Sequence, residues 1–319
     1  MSPPPPLDLP VRPLVEVGWL DSLLQYPALR VFLPVPVLLA ITPPIVWFFR
    51  STWRELDSEA AEHRAGLVAR GEMDLRPAAC LVIAAVVLTM QEYFGSRSFY
   101  EDVFREPLLA YAERGHPWVR VQKYDELLGY VWWAMARFIG YVLIPLPLWK
   151  LLFPRDSLVD MGLRVRGFFQ HAWIYVACLA IVGPLMVLVS TQPDFGNYYP
   201  FYKQSGRSVV DFLAWEAFYC LQFFSLELFF RGWMVGALRR SLGASAIFVM
   251  AVPYCMIHYG KPYLEAHGAI VAGVVLGSLS MKTRSIYAGF LVHVTVALGM
   301  DLLSLWKRGA LPHQLWAGG

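Results

Sequence analysis

Charged residues are scarce in this sequence. Only 16% of its 319 residues are Asp, Glu, Lys or Arg, and the formal net charge is +3. A water-soluble domain carries roughly a quarter charged residues, so the composition excludes an ordinary soluble domain. A disordered chain would need low hydrophobicity and a high net charge, so the composition also argues against a disordered protein. The Lys and Arg residues form no basic stripe, so we expect no nucleic-acid partner.

Several motifs are also missing. The four cysteines, Cys80, Cys178, Cys220 and Cys255, lie in apolar runs without a CxxC spacing, which argues against a disulfide framework or a cysteine-rich zinc cluster. The sequence contains no phosphate-binding loop, dinucleotide fingerprint or GxSxG motif, so ATP-driven transport and serine hydrolysis are not indicated. The N-terminal residues lack a charged segment beside an apolar core and do not read as a signal peptide.

Apolar residues are abundant instead, at 57% with a mean hydropathy of +0.47. A helix needs about 20 apolar residues to cross a ~30 Å hydrocarbon core. Eight apolar runs recur along the chain, at about 31–49, 77–94, 128–149, 172–190, 209–230, 244–257, 266–281 and 285–306. The sequence predicts an all-α, polytopic transmembrane helical bundle of about eight spans. We expect a multi-pass protein of the lipid bilayer, in the cell membrane or, if bacterial, the inner membrane.

The runs divide the chain into four predicted regions. These are a disordered Pro-rich tail at 1–27, N-terminal transmembrane helices with amphipathic surface segments at 28–208, a helical core at 209–306 and a tail at 307–319. Prolines, including Pro43 and Pro44, predict a kinked or broken first span. Connections on one predicted side carry 14 Lys and Arg against 12 on the other, a narrow margin that favours both termini outside.

Six ionisable residues fall in or at the ends of the C-terminal spans: Glu216, Glu227, Arg231, His258, His293 and Asp301. Ionisable residues inside a membrane indicate function by default. Glu227 and Arg231 are four residues apart on one predicted helix, so their side chains share a face and can pair. A structural ion pair is the alternative reading of Glu227 and Arg231, and a lone membrane histidine is more often structural than catalytic. Together, the Glu–Arg pair and the two histidines supply a carboxylate that can deprotonate water, one imidazole that can share the proton and another that can donate to an oxyanion. These groups suit the hydrolysis of a peptide bond.

Other readings of the same residues stay open. No HExxH motif is present, but Glu227, His258 and His293 could form a His₂Glu zinc site if they converge. Buried Glu and His residues also serve as relays in proton-coupled transporters, and Glu216 and Glu265 are further carboxylates that could act as the base.

Two pairs of glycines have the GxxxG spacing of close helix packing. They are Gly232 with Gly236, and Gly273 with Gly277. Such spacings occur at helix–helix contacts within one chain and also at dimer interfaces. We favour packing within the chain and keep a homodimer as the alternative.

Three short segments together resemble the CAAX protease and bacteriocin-processing (CPBP) family, also called the Abi or type II CAAX prenyl endopeptidase family. The family pattern is a Glu-Glu-x-x-x-Arg helix, an aromatic-x-x-x-His helix and a His-x-x-x-Asn/Asp helix. The corresponding segments here run from Leu226 to Gly232, from Tyr254 to His258 and from His293 to Ala297. The resemblance extends over about 211–305.

The resemblance implies an intramembrane endopeptidase of glutamic type that needs no cofactor and cleaves a peptide or membrane-protein substrate. It implies Glu227 as base, His258 sharing the water, His293 as oxyanion donor, and Arg231 and Tyr254 as supporting residues.

Two positions depart from the family pattern. Leu226 replaces the first Glu and Ala297 replaces the Asn/Asp. Because adjacent helix positions point about 100° apart, Glu227 can replace the lost carboxylate only if the helix is rotated or locally distorted. The alternative is a catalytically impaired relative that acts as a membrane scaffold, immunity or regulatory protein.

Overall fold

A computed structural model of the chain describes residues 31–32, 34–116, 120–190, 195–259 and 263–316. The predicted tail at 1–27 lies outside them. The chain is 81% helical and contains no strand in its described ranges, because a chain in lipid must satisfy its backbone hydrogen bonds internally.

Nine helices organise the described chain. The N-terminal part contains α1 Pro34–Arg70, α2 Arg76–Phe94, α3 Arg105–Glu113, α4 Val121–Leu152 and α5 Ala172–Val189. The C-terminal part contains α6 Val209–Leu242, α7 Ser245–Met256, α8 Tyr263–Thr283 and α9 Tyr287–Lys307. Shorter helical turns at Arg97–Phe99, Val165–Gln170, Phe195–Tyr198 and Ser205–Arg207 lie between them.

Five of these helices are long and apolar enough to cross a membrane. They are α1, α2, α4, α6 and α9. The predicted all-α polytopic bundle is confirmed, while the count of about eight spans stays a prediction. Helix α1 continues through Pro43 and Pro44, so the first span is not broken there, and the predicted kink stays a prediction. Each proline removes only one backbone donor, and a helix can bridge that loss when its neighbouring turns are intact.

Helix α6 lies at the centre of the bundle. Its N-terminus is capped by Ser208, whose hydroxyl accepts a hydrogen bond from the backbone N–H of Asp211 at 3.1 Å. Its middle packs against α4 and α9. Three consecutive bulky side chains of α6, Leu228, Phe229 and Phe230, are buried. A helix buried on all sides suits a position that holds ionisable side chains away from lipid.

Both GxxxG pairs are used for packing within the chain. Gly232 and Gly236 lie against Met161, which precedes α5. Gly273 and Gly277 of α8 lie against side chains of α7. The absent side chains let the helices approach closely, as predicted for packing inside one chain.

Candidate active site

The candidate site is built around a change in the geometry of α6. Glu227 is the last residue of its regular α-helical part, Val209–Glu227. The next seven residues, Leu228–Met234, form a π-helical segment that contains Arg231. Single-turn π segments inside α-helices are rare and are frequent at functional sites. The distortion that the Leu226 departure required is therefore present, and it begins directly after Glu227.

Glu227 and Arg231 form a completely buried ion pair. Arg231 Nη1 lies 3.2 Å from Glu227 Oε1, and the two side chains are 0% and 1% exposed. The guanidinium carbon of Arg231 also lies 3.7 Å from the centre of the Tyr254 ring. A cation over an aromatic face is attracted by the ring electrons, most strongly where water is excluded. Tyr254 thus compensates part of the desolvation of Arg231.

His293 on α9 approaches the same carboxylate oxygen. Its Nδ1 lies 3.1 Å from Glu227 Oε1, and the imidazole is 24% exposed. The ring stacks on Phe223 of α6 with centroids 5.2 Å apart. Within the described part of the chain, neither Glu227 Oε1 nor His293 Nδ1 has a well-aligned hydrogen bond. The two atoms are therefore close together, and both retain hydrogen-bonding capacity.

Gly289 provides the space for the other carboxylate oxygen. A Cβ placed on Gly289 would lie 2.7 Å from Glu227 Oε2, closer than non-bonded atoms pack. Gly289 precedes His293 by four residues, so both face Glu227 from the same side of α9. Helix α9 therefore faces Glu227 with Gly289, which has no side chain, and with the imidazole of His293.

His258 is connected to the site through Tyr254. Its Nδ1 is 2.8 Å from the carbonyl oxygen of Tyr254, one turn earlier, and the two rings are 4.8 Å apart. Tyr254 therefore connects His258 to Arg231, while His293 reaches Glu227 directly. Of the predicted residues, the structure brings Glu227, Arg231, Tyr254 and His293 into contact and places His258 next to Tyr254.

The zinc alternative requires three converging ligands. Among the residues that the structure describes, no group of three His, Cys, Asp or Glu side chains is positioned to hold a metal ion. Glu227, His258 and His293, as placed, do not fit a His₂Glu site. The proposed mechanism therefore contains no metal step.

Glu216, the spare carboxylate on α6, belongs to a separate polar layer. It precedes Glu227 by eleven residues, about 16 Å along a helix axis. It interacts electrostatically with the buried Asp301, and the Trp215 indole donates to Asp301 Oδ2 at 2.7 Å. Glu216 therefore cannot act on a water held by Glu227. The side chain of Glu265 lies outside the described residues.

The two departures from the family pattern are packed as core positions. Leu226 is 8% exposed and belongs to the main hydrophobic cluster. Ala297 is 7% exposed and packs in a second cluster with Trp215 and Tyr219. Neither position offers a polar group to the site.

Sequence reasoning missed two contributors to the site, Phe223 and Gly289. Phe223 is one aromatic residue among many in α6 and carries no distinguishing signal. Gly289 could have been found, because it lies one helical turn before His293 and faces the same way.

A comparison with known protein families found a match over the part of the chain that contains the candidate site. The family model described as type II CAAX prenyl endopeptidase Rce1-like matches residues 209–299. The match contains all three motif segments and most of the predicted core at 209–306. No curated protein and no solved structure matches the chain. The predicted family resemblance is confirmed over residues 209–299, where this multi-pass membrane protein is similar to Rce1-like type II CAAX prenyl endopeptidases.

Proposed function

We propose that this protein is an intramembrane endopeptidase in which Glu227 activates water for attack on a peptide bond of a peptide or membrane-protein substrate. The family match supports a CAAX-type protease in general. The single observation that carries the finer proposal is the contact between Glu227 Oε1 and His293 Nδ1 at 3.1 Å. It joins the first and third motif helices at two groups that can transfer or stabilise a proton.

Arg231 sets the charge of the base in this mechanism. A buried carboxylate without a partner would already carry a proton and could not accept one from water. The positive charge of Arg231, 3.2 Å away, stabilises the negative charge of Glu227, and the ring of Tyr254 contacts the guanidinium. Glu227 is therefore a positioned carboxylate that can accept a proton from water.

The reaction then follows from the positions of the two imidazoles. Water attacks the carbonyl carbon, its proton passes to Glu227, and the carbonyl oxygen becomes an oxyanion. His293 is the most exposed of the groups in contact with Glu227, so it donates to that oxygen. His258 shares the proton of the attacking water. Glu227 returns its proton to the leaving amine, which balances the cleavage.

The test uses four variants of the purified protein, with a prenylated CAAX peptide and its unprenylated form as substrates. Glu227→Gln, His258→Ala and His293→Ala should each reduce cleavage at least 100-fold, the order of magnitude for loss of one acid–base or oxyanion group. Glu216→Gln is the matched control, since it alters a buried carboxylate on the same helix outside the site. Cleavage retained by all three site variants would contradict the proposal.

The burial of Leu226 and Ala297 supports a second candidate, a catalytically impaired relative that acts as a scaffold, immunity or regulatory protein. Both positions contribute packing where the family pattern has polar groups. A triple variant with alanine at 227, 258 and 293 separates the two functions. Full complementation of a deletion strain by this variant, at normal membrane levels, would favour the non-catalytic role.

A further inference from the structure

A cleft of about 520 Å³ lies at the far end of α6 from the candidate active site. Arg239 on its wall follows Glu227 by twelve residues, about 18 Å along a helix axis. Every lining residue is ionisable: Glu59, Glu62, His63, Asp160, Arg164, Arg239, Arg240 and Arg284. We call this feature the arginine cleft. Four guanidinium groups in one cavity require an explanation that the proposed protease chemistry does not provide.

Four distant parts of the sequence build the arginine cleft. They are the C-terminal half of α1, the α4–α5 connection, the end of α6 and the α8–α9 turn. The backbone N–H of Ile286 donates to the carbonyl of Gly162 at 2.9 Å, which fixes the turn against the connection. Asp57 of α1 accepts from the backbone N–H of Ala244 at 2.9 Å, which fixes α1 against the end of α6. These hydrogen bonds connect the segments that line the cavity.

Arg284 joins the arginine cleft from the end of α8. It directly follows the last residue of that helix, Thr283, and its φ of 53° lies in the left-handed region in which many helices end. Its Nη2 donates to Glu59 Oε1 at 2.6 Å.

The carboxylates orient the arginines without using up their donors. Glu59 Oε2 accepts from Arg239 Nη1 at 2.8 Å, and Asp160 pairs with Arg164. In the described ranges, these contacts use one nitrogen each of Arg239 and Arg284, and Arg240 makes no ion pair or hydrogen bond. A guanidinium presents five N–H donors. Most donors in the arginine cleft therefore remain available to a ligand rich in acceptors.

We propose that the arginine cleft binds a phosphate group, carried either by a phospholipid headgroup or by a soluble phosphate. A phosphate has several charged oxygens and can bridge two guanidinium forks, whereas a single carboxylate accepts only one fork in the same bidentate way. Basic pockets between transmembrane helices bind lipid headgroups by this chemistry. The proposal is independent of the proposed protease function, since it concerns binding at a separate end of the bundle.

The test compares binding by the full chain in detergent. Tryptophan-monitored thermal unfolding is followed during titration with sodium phosphate, with short-chain phosphatidylglycerol and with short-chain diacylglycerol, at constant ionic strength set with chloride. Arg240→Gln is the informative variant, because Arg240 is exposed and its loss breaks no ion pair in the described structure. Arg54→Gln is the matched control, an exposed arginine of α1 outside the arginine cleft.

We expect phosphate or phosphatidylglycerol to raise the unfolding temperature, and diacylglycerol not to. Arg240→Gln should weaken binding roughly tenfold through the loss of one charge-assisted contact, with Arg54→Gln unchanged. A response to phosphatidylglycerol alone identifies the lipid headgroup as the source, and a response to sodium phosphate identifies a soluble one. Equal responses to all three titrants, or equal weakening in both arginine variants, would overturn the proposal.

Discussion

Gly289→Ala is the most direct perturbation of the candidate site, because it adds one methyl group against the proposed base. The new Cβ would lie 2.7 Å from Glu227 Oε2 and 3.3 Å from Glu227 Cδ. The carboxylate cannot rotate away freely, since Arg231 and His293 hold its other oxygen. Relief therefore requires a shift of Glu227 or of the backbone of α9.

The expected magnitude follows from the packing. Inserting a methyl group into a well-packed core costs about 1–3 kcal/mol, so the free energy of unfolding should fall by that amount. A catalytic group displaced by about 1 Å can lose on the order of 100-fold in rate. We expect peptide cleavage by Gly289→Ala to fall between 10- and 100-fold, mainly in kcat, because the substrate-facing surface is otherwise unchanged.

Gly299→Ala on the same helix provides the matched control. Its Cβ would lie 2.7 Å from the sulfur of Met186, a flexible side chain that can move aside. The steric intrusion is the same in size, but the neighbour yields. Wild-type unfolding and cleavage by Gly289→Ala, or parallel losses in the two glycine variants, would refute the reasoning that Gly289 positions Glu227.

Two further predictions concern charge pairs. Arg231→Met should destabilise the protein by about 3–5 kcal/mol, because it leaves the buried carboxylate of Glu227 without its cation. Thermal unfolding in detergent should show that the double variant with Glu227→Leu recovers part of the lost stability. In the α4–α5 connection, burial alone would raise the pKa of Asp156, but hydrogen bonds from Arg76 and its charge outweigh this and hold the pKa below the ordinary 3.8. Stability from this pair is therefore present above about pH 4 and lost as the pH falls through the folded-state pKa. The unfolding temperature should depend less on acid in Asp156→Asn than in wild type, and an unchanged acid dependence would contradict the prediction.

Local patterns in the sequence were sufficient to predict the helices and one contact of the site. A long apolar run in lipid has only the helix available to satisfy its backbone, so each of the eight predicted runs overlaps a helix. The Glu227–Arg231 pair follows from a spacing of four residues on one helix. The number of membrane crossings could not be predicted in the same way, because the length of an apolar run does not determine the length of the helix. Helix α7 has 12 residues, about 18 Å, which is shorter than the hydrocarbon core.

Contacts between helices could not be predicted from the sequence. The motif pattern places His258 and His293 at comparable positions relative to Glu227, yet only packing between α6 and α9 determines that His293 reaches its carboxylate. The same holds for the arginine cleft, whose residues come from four distant segments. The predicted orientation places the connections 50–76, 150–171, 231–243 and 282–284 on one side of the membrane, and the convergence of their residues in one cavity agrees with that assignment.

The burial around Glu227 restricts how a substrate can reach it. Arg231, which pairs with the carboxylate, and Tyr254, whose ring contacts Arg231, are both buried. Gly289 lies beside Oε2, where even a Cβ would be too close at 2.7 Å. His293 is the one exposed group in described contact with Glu227, and its ring stacks on Phe223. The proposed mechanism therefore predicts that a peptide bond approaches between α6 and α9, on the face formed by Phe223 and His293.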